Sequence, residues 1–397
     1  MNTFIYKCTI CCREYKRDEV RYICPVCAMD YRPGMPLKGV LTAEFDYGYI
    51  KRKFSRKNPD FSLFSAVEKK FYPNFPVGNT PIIKNSALSS LLHVENVLVK
   101  YEGLNPSGSL KDRASLLVVA ESIRLNEERI VCASTGNAAS ALAAVCASAG
   151  KKAVIFVPKN APRAKLVQIV LYGAKIILVD GSYDDAFAMS LRFTEKKGGL
   201  NRNTAYHPLT IEGKKTVSLE IFYQMNFNTP DAILVPVGDG VIISGVYKGF
   251  YDLFMSGLIK RMPVLISVQA EGSNAINRFI KTNKYSDMEN PRTIADSISV
   301  STPSNAYMAK KAVENTGGFV VDVSDHEILN AQRILASTTG IFAEPAASAP
   351  LAGAIKISKN LKKYKTILLL ITGNGLKDID TPLRTIRLPK PVPKDWI

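Results

Sequence analysis

Short apolar runs alternate with helix-patterned segments through most of this chain, and that alternation limits the folds open to it. Residues 129–133, 153–157 and 174–179 are brief and apolar, and each is followed by a segment of helical composition at 138–149, 163–171 and 183–197. The pattern resumes with runs at 232–237, 264–269, 319–323 and 366–371 and helical segments at 216–225, 325–338 and 346–357. Strands this short and uniformly apolar are buried on both faces, and the helices between them supply the crossovers that parallel strands need. The expectation is an α/β protein with doubly wound sheets. Its 397 residues suggest two or three domains. No apolar run approaches the roughly 18 residues of a membrane span. Residues 1–7 have no long apolar core behind them, so a secretion signal is not expected and a cytoplasmic protein is.

One strand-to-helix junction carries unusual chemistry: Lys100-Tyr101-Glu102-Gly103-Leu104-Asn105-Pro106-Ser107-Gly108-Ser109-Leu110-Lys111-Asp112-Arg113. Val97, Leu98 and Val99 read as a strand, and Asn105 to Gly108 are turn formers. Ser109 is placed as an N-cap for a helix over 111–126. Lys111 then lies in the first helical turn, where the positive end of the helix dipole disfavours an ammonium. Partial burial acts in the same direction and lowers the amine pKa. Such an amine can attack an aldehyde and form a Schiff base. The alternative is an ordinary lysine whose stem carries its charge to solvent.

Three further turns follow predicted strands. Ser134-Thr135-Gly136-Asn137 can present backbone N–H groups and hydroxyls to an anion, or can simply cap a helix through Ser134 or Thr135. Gly238-Asp239-Gly240-Val241-Ile242-Ile243-Ser244-Gly245 has glycines that let N–H groups approach an anion, with Asp239 as an opposing charge that must turn away or meet a cation. Thr372-Gly373-Asn374-Gly375-Leu376-Lys377-Asp378 leaves the last strand.

The segment Asn105-Pro106-Ser107-Gly108-Ser109-Leu110-Lys111-Asp112-Arg113 resembles the cofactor-lysine motif of the fold-type II (tryptophan synthase β-like) pyridoxal-phosphate (PLP) enzymes, in the form carried by threonine synthases and their relatives. The Ser134 and Thr372 motifs agree in order and spacing, and the similarity runs from about Pro81 to Asp378. The resemblance implies two doubly wound lobes with PLP in the cleft. Residues 110–215 would form a smaller, mobile lobe, and 39–109 with 216–397 the larger PLP-binding one. Lys111 would hold PLP and, once released, remove the Cα proton of the substrate. Ser134, Thr135 and Gly136 would take the substrate carboxylate, and Asn137 the ring hydroxyl of the cofactor. Gly238, Asp239, Gly240 and Ser244 would surround the cofactor phosphate, and the Thr372 hydroxyl would lie near the pyridine nitrogen. A neutral hydroxyl there leaves a milder electron sink, suited to elimination and replacement. Glu344 resembles a family acid near the cofactor, or is a helix-start charge.

The implied activity is a lyase converting O-phosphohomoserine and water to L-threonine and phosphate in a homodimer. One segment departs from the pattern. Relatives carry Asn-Pro-x-Arg ahead of Glu-Gly-x-Lys-Thr, whereas this chain reads His207-Pro208-Leu209-Thr210-Ile211-Glu212-Gly213-Lys214-Lys215-Thr216. Losing a guanidinium matters for a phosphate site. Arg163 and Lys165 are the substitutes expected from sequence. The departure keeps other PLP reactions in view: β-replacement of the cysteate synthase kind, or a serine, threonine or diamino-acid ammonia-lyase.

Residues 1–38 differ from the rest. Cys8-Thr9-Ile10-Cys11 and Cys24-Pro25-Val26-Cys27 have the spacing of a four-thiolate zinc ribbon, with Cys12 as a spare thiol. Four sulfurs leave no open coordination position, so structural zinc on Cys8, Cys11, Cys24 and Cys27 is expected. The formal charge is +17. Its lysines and arginines are scattered rather than gathered into basic blocks interleaved with aromatics. A nucleic-acid-binding ribbon is therefore the lesser reading.

Overall fold

The computed structural model describes residues 3–32, 34–159, 161, 163–384, 389, 391 and 393–394, with the side chains of 163–165 outside the described set. The apolar runs form strands as their patterning requires. In chain order these are β1 (Phe4–Cys8), β2 (Glu14–Tyr15), β3 (Leu41–Phe45), β4 (Ile82–Lys84), β5 (Asn96–Tyr101), β6 (Arg129–Ala133), β7 (Lys152–Pro158), β8 (Lys175–Val179), β9 (Leu200–Asn201), β10 (Ala232–Pro236), β11 (Val264–Ala270), β12 (Phe319–Val323) and β13 (Thr366–Ile371).

They make three sheets. The first is a small antiparallel one, ordered β2-β1-β3. A four-stranded parallel sheet runs β8-β7-β6-β9. A six-stranded sheet runs β12-β11-β10-β13-β5-β4, parallel except for β4. Its central strands β10 and β13 are almost wholly buried, which is why they read as continuous apolar runs. The order places β5 beside β13, with Tyr101 opposite Ile371. The segments after β5, β13 and β10 therefore leave the sheet at adjoining carboxyl ends, where open α/β sheets bind ligands.

Three helices converge on this end: Lys111–Arg124, Leu209–Gln224 and Val241–Met255. Glycines allow the approach. A Cβ on Gly213 would lie 2.4 Å from the Arg113 carbonyl oxygen, and one on Gly249 would lie 2.5 Å from that of Lys215. Alanine at Gly213 would push the Lys111 helix off its seat.

Several boundaries differ from the sequence expectation. The Lys111 helix is capped by Leu110, whose φ is −53°, and not by Ser109; the Ser109 hydroxyl instead accepts from the Lys111 N–H at 3.4 Å. Neither Ser134 nor Thr135 caps the next helix, Asn137–Ser148, which begins from Gly136. The helix expected at 216 starts a full turn and more earlier, at Leu209, because Pro208 is tolerated at its N-terminal edge. Residues from about Gly39 to Asn79, whose aromatic and lysine content reads as a connecting region, contribute β3 to the N-terminal sheet and a helix, Tyr47–Lys53, capped by Asp46. Pro389 to Pro393, which the sequence reads as an extended stretch, falls partly outside the described residues.

The N-terminal sheet is packed onto the body of the protein. The Tyr22 ring stacks on Tyr206 at 4.6 Å, and its hydroxyl accepts from the Asn201 N–H at 3.0 Å. The Ala43 N–H donates to Glu212 at 3.1 Å. Lys215 lies between Glu212 and Asp252 and over the Phe45 ring, at 4.1 Å from its centroid. No helix among the described residues is long and apolar enough to cross a membrane.

Candidate active site

The Lys111 turn is held from several directions. Asp112 accepts from the Ser107 N–H at 2.7 Å and from the Ser107 hydroxyl. Burial pushes the Asp112 carboxyl up to about 6 against those hydrogen bonds. Gly108 adopts φ +87°, a left-handed conformation that only glycine takes without strain. The carbonyls of Thr372 and Gly108 accept from the N–H groups of Leu110 and Asn374, both at 2.9 Å, so the last strand and the lysine turn are latched together. Lys377 closes the arrangement: its amine donates to the Ser107 carbonyl at 3.0 Å, the Ser140 hydroxyl at 2.9 Å and Gln168.

Behind the turn lies a buried charge cluster. Arg113 grips Glu102 through two bonds of 2.6 and 2.8 Å and reaches Glu220 at 3.0 Å. Lys100 also contacts Glu220. Glu102 accepts from Asn105 at 2.9 Å and from the Thr80 hydroxyl at 2.6 Å. Two cations and two anions balance, and each is hydrogen-bonded, the condition under which buried ions are tolerated.

Lys111 itself is half-buried, and its amine makes no hydrogen bond among the described residues. Desolvation pushes it down to about 8; Glu344 and Asp239 pull it up, and Arg202 pushes it down further. Asn137 and Glu344 face one another, the Asn137 amide donating to both carboxylate oxygens at 2.9 and 3.0 Å. Burial raises the Glu344 carboxyl, partly countered by Asn137 and Lys111. A Cβ on Gly373 would fall 2.2 Å from Glu344, so glycine is what lets the acid pass beneath the Thr372 turn.

Ser134, Thr135 and Gly136 are half-buried at the end of β6, and a Cβ on Gly136 would meet nothing within 4 Å. The turn thus borders open space. In the Gly238 loop, Gly240 adopts φ +85° and opens the Val241–Met255 helix. Asp239 turns onto Ser304, accepting from its N–H at 2.5 Å and its hydroxyl at 2.7 Å, which answers where that charge goes. Burial lifts its carboxyl to about 6. The Ser244 hydroxyl donates to the Gly240 carbonyl at 2.8 Å and so braces the loop from within. Thr372 is almost fully buried at the end of β13. A free-amine lysine, an amide–acid pair and an uncrowded glycine turn are a set of groups that fits PLP.

Cys8, Cys11, Cys24 and Cys27 bring their sulfurs within 4.8 Å of one another. Two of the separations are 3.8 Å (Cys8–Cys27) and 3.7 Å (Cys11–Cys24). Tetrahedral zinc with bonds of roughly 2.3 Å sets sulfurs about 3.8 Å apart, so the cluster fits that ion. Gly39, at φ +83°, would place a Cβ 3.0 Å from the Cys24 Cβ and so must be bare. Cys12 points to solvent.

Residues 74–373 match the family model described as "Pyridoxal-phosphate dependent enzyme". The chain belongs to that family and is a PLP-dependent lyase of fold type II. Within the family it is similar to threonine synthases. That of Methanocaldococcus jannaschii is 34% identical over 399 residues, covering 97% of this chain and 96% of the relative. That of Methanosarcina acetivorans is 36% identical, covering 94% and 92%. Among solved structures, maize serine racemase superposes with a TM-score of 0.67 at 25% identity, covering 78% of this chain and 91% of that one.

The structure brings Lys111, Asn137, Gly136, Gly238, Asp239 and Thr372 to one end of the sheets. Arg163 and Lys165 begin the helix Arg163–Leu171, and their side chains lie outside the described residues. Sequence reasoning gave no role to Lys377, Arg202 or Lys214. Lys377 stood inside a quoted motif, and only its three acceptors show what it does.

Proposed function

We propose that this enzyme converts O-phosphohomoserine and water to L-threonine and phosphate, acting as a cytoplasmic homodimer. The observation that carries the reading is the Lys111 amine, unpaired and lowered in pKa, set among three turns at adjoining strand ends. The similarity to threonine synthases over nearly the whole chain supports the choice of substrate. Bound PLP supplies an electron sink for the charge left when a proton departs from the substrate. Lys111 Nζ is the group that attaches the cofactor and then carries protons at successive carbons. Asn137, fixed by Glu344, orients the cofactor ring. The turn of Ser134, Thr135 and Gly136 receives the substrate carboxylate through its remaining donors, since the Ser134 N–H is held by the Phe156 carbonyl and the Gly136 N–H by the Ser134 hydroxyl. Gly238, Asp239, Gly240 and Ser244 make up the cofactor-phosphate loop. Thr372 offers a neutral partner to the ring nitrogen.

Residues 110–215 carry their own parallel sheet and an apolar cluster around Val131, Val154 and Phe156, which supports a lobe that closes on 39–109 and 216–397. The ribbon, residues 1–38, would hold zinc in a structural role. Among the described residues all seven cysteines are free thiols, which suits a reducing compartment.

The test is phosphate and threonine release from O-phosphohomoserine by the purified holoenzyme. Turnover of other amino acids alone would overturn the reading. A second reading, β-replacement or ammonia elimination, draws on one observation. The Thr210 hydroxyl is bound to the carbonyls of Thr204 and His207, so it cannot replace the guanidinium of the usual pattern. Ammonia or keto acid from a serine, threonine and diamino-acid panel would select it.

A further inference from the structure

Among the described residues, six lysines and arginines are deeply buried: Lys100, Arg113, Arg202, Lys214, Lys215 and Lys248. Four of them have carboxylate partners, Glu220 for Lys100, Glu102 for Arg113, and Asp252 for Lys215 and Lys248. Arg202 and Lys214 have none within ion-pair distance among the described residues. Arg202, 1% exposed, donates to the Ser115 hydroxyl at 3.2 Å and approaches the Lys111 carbonyl at 3.5 Å. Lys214, 3% exposed, reaches the Thr210 carbonyl at 3.4 Å and no other acceptor among the described residues. A buried cation without an anion is unfavourable by several kcal/mol. Four such charges are balanced by carboxylates, and the two that are not act electrostatically on Lys111.

Their positions match a defect noted above. Lys214 stands one helical turn beyond Thr210, the position where relatives carry the arginine, so it projects from the same helix face. It also occupies the variable position of the Glu-Gly-x-Lys-Thr pattern. Its stem packs where Gly245 leaves room, 2.6 Å from where a Cβ would stand. Asp239, the acid whose charge acts on Lys214, is occupied with Ser304.

We propose that Arg202 and Lys214 form the subsite for the phosphate dianion of a phosphate-monoester substrate, with Lys214 in place of the missing guanidinium. This rests on the reading that the substrate is phosphorylated. Burial and the charges of Arg202 and Lys111 lower the Lys214 pKa, so the amine gains its proton most readily when the dianion arrives.

The test uses holoenzyme and inorganic phosphate as the probe, by calorimetry and by competition with turnover. Lys214→Met, similar in length and uncharged, should weaken phosphate binding about tenfold or more, the equivalent of ~1.4 kcal/mol. It should raise KM for O-phosphohomoserine more than it lowers kcat, with bound PLP and thermal stability kept. Lys214→Gln is the second neutral variant, and adding Thr210→Arg to Lys214→Met should restore phosphate binding. Unchanged phosphate binding in both neutral variants overturns the subsite, as does loss of PLP in proportion, which would assign the cations to the cofactor phosphate. If wild-type enzyme fails to release phosphate from O-phosphohomoserine yet binds phosphate through Lys214, the substrate reading falls and the subsite stands. Turnover of O-phosphohomoserine indifferent to Lys214 sinks the subsite alone.

Discussion

The Lys111 amine should titrate in the apoprotein near pH 8, far below an ordinary lysine at 10.5. The difference has a working magnitude. At pH 7 about one amine in ten is uncharged with a pKa of 8, against about one in 3,000 at 10.5, so roughly 300-fold more nucleophile is available. Desolvation is the main cause and Glu344 opposes it, so Glu344→Gln should lower the midpoint further. The assay is acetylation of apoprotein by a limiting pulse of acetic anhydride across pH 6 to 11, with each lysine peptide quantified by mass spectrometry. Exposed lysines such as Lys359 and Lys362 act as internal references. A Lys111 midpoint at or above that of the surface lysines would refute the argument that its surroundings, and not merely its place in a motif, prepare it to react. A midpoint that rises in Glu344→Gln would refute the assigned sign of the acid.

Two other outcomes follow from the structure. Glu102→Gln should cost roughly 3–5 kcal/mol, since it leaves Arg113 buried with half its partners. Denaturation in urea measures this, and a loss under about 1 kcal/mol would count against the cluster. The wild-type contribution has a pH sign: burial would raise Glu102, but the Arg113 charge and hydrogen bonds outweigh it and hold the carboxyl below its ordinary 4.5. The stabilisation is therefore present above about 4.5 and is lost as pH falls through the lower folded value. Separately, purified protein should carry about one zinc per chain. Its removal by chelation should lower the melting temperature and raise thiol reactivity, whereas metal-free protein with unchanged stability would reject a structural ion.

Much of this was legible because the chemistry sits at strand-to-helix turns, where local sequence is explicit. Pro106, Gly108 and Lys111 announce a turn and a reactive amine without tertiary information, and the cysteine spacing announces the knuckles. What escaped reading was set by distant contacts. Ser109 looked like a cap, but the turn's partners are Asp112 and Thr372, and the latter lies over 260 residues away. The helix expected at 216 begins at Leu209, and Gly213 inside it is the notch that seats the Lys111 helix, a role set by a contact the local sequence does not show. Strands β4 and β9 are too short to show a period. Arg202 and Lys214 carry no local signal in the sequence, and only burial without an acid sets them apart.

The position of β13 has a bearing on how the protein is made. This strand is synthesised after every other strand of the larger sheet, yet it lies between β10 and β5 in the middle of it. Until it leaves the ribosome, β5 and β10 have no neighbour to bridge them, and the Lys111 turn has nothing to latch onto. The four-stranded sheet is contiguous in sequence and can form while translation continues. A nascent or prematurely terminated chain is thus a half-built enzyme with a bare hydrophobic seam at its centre.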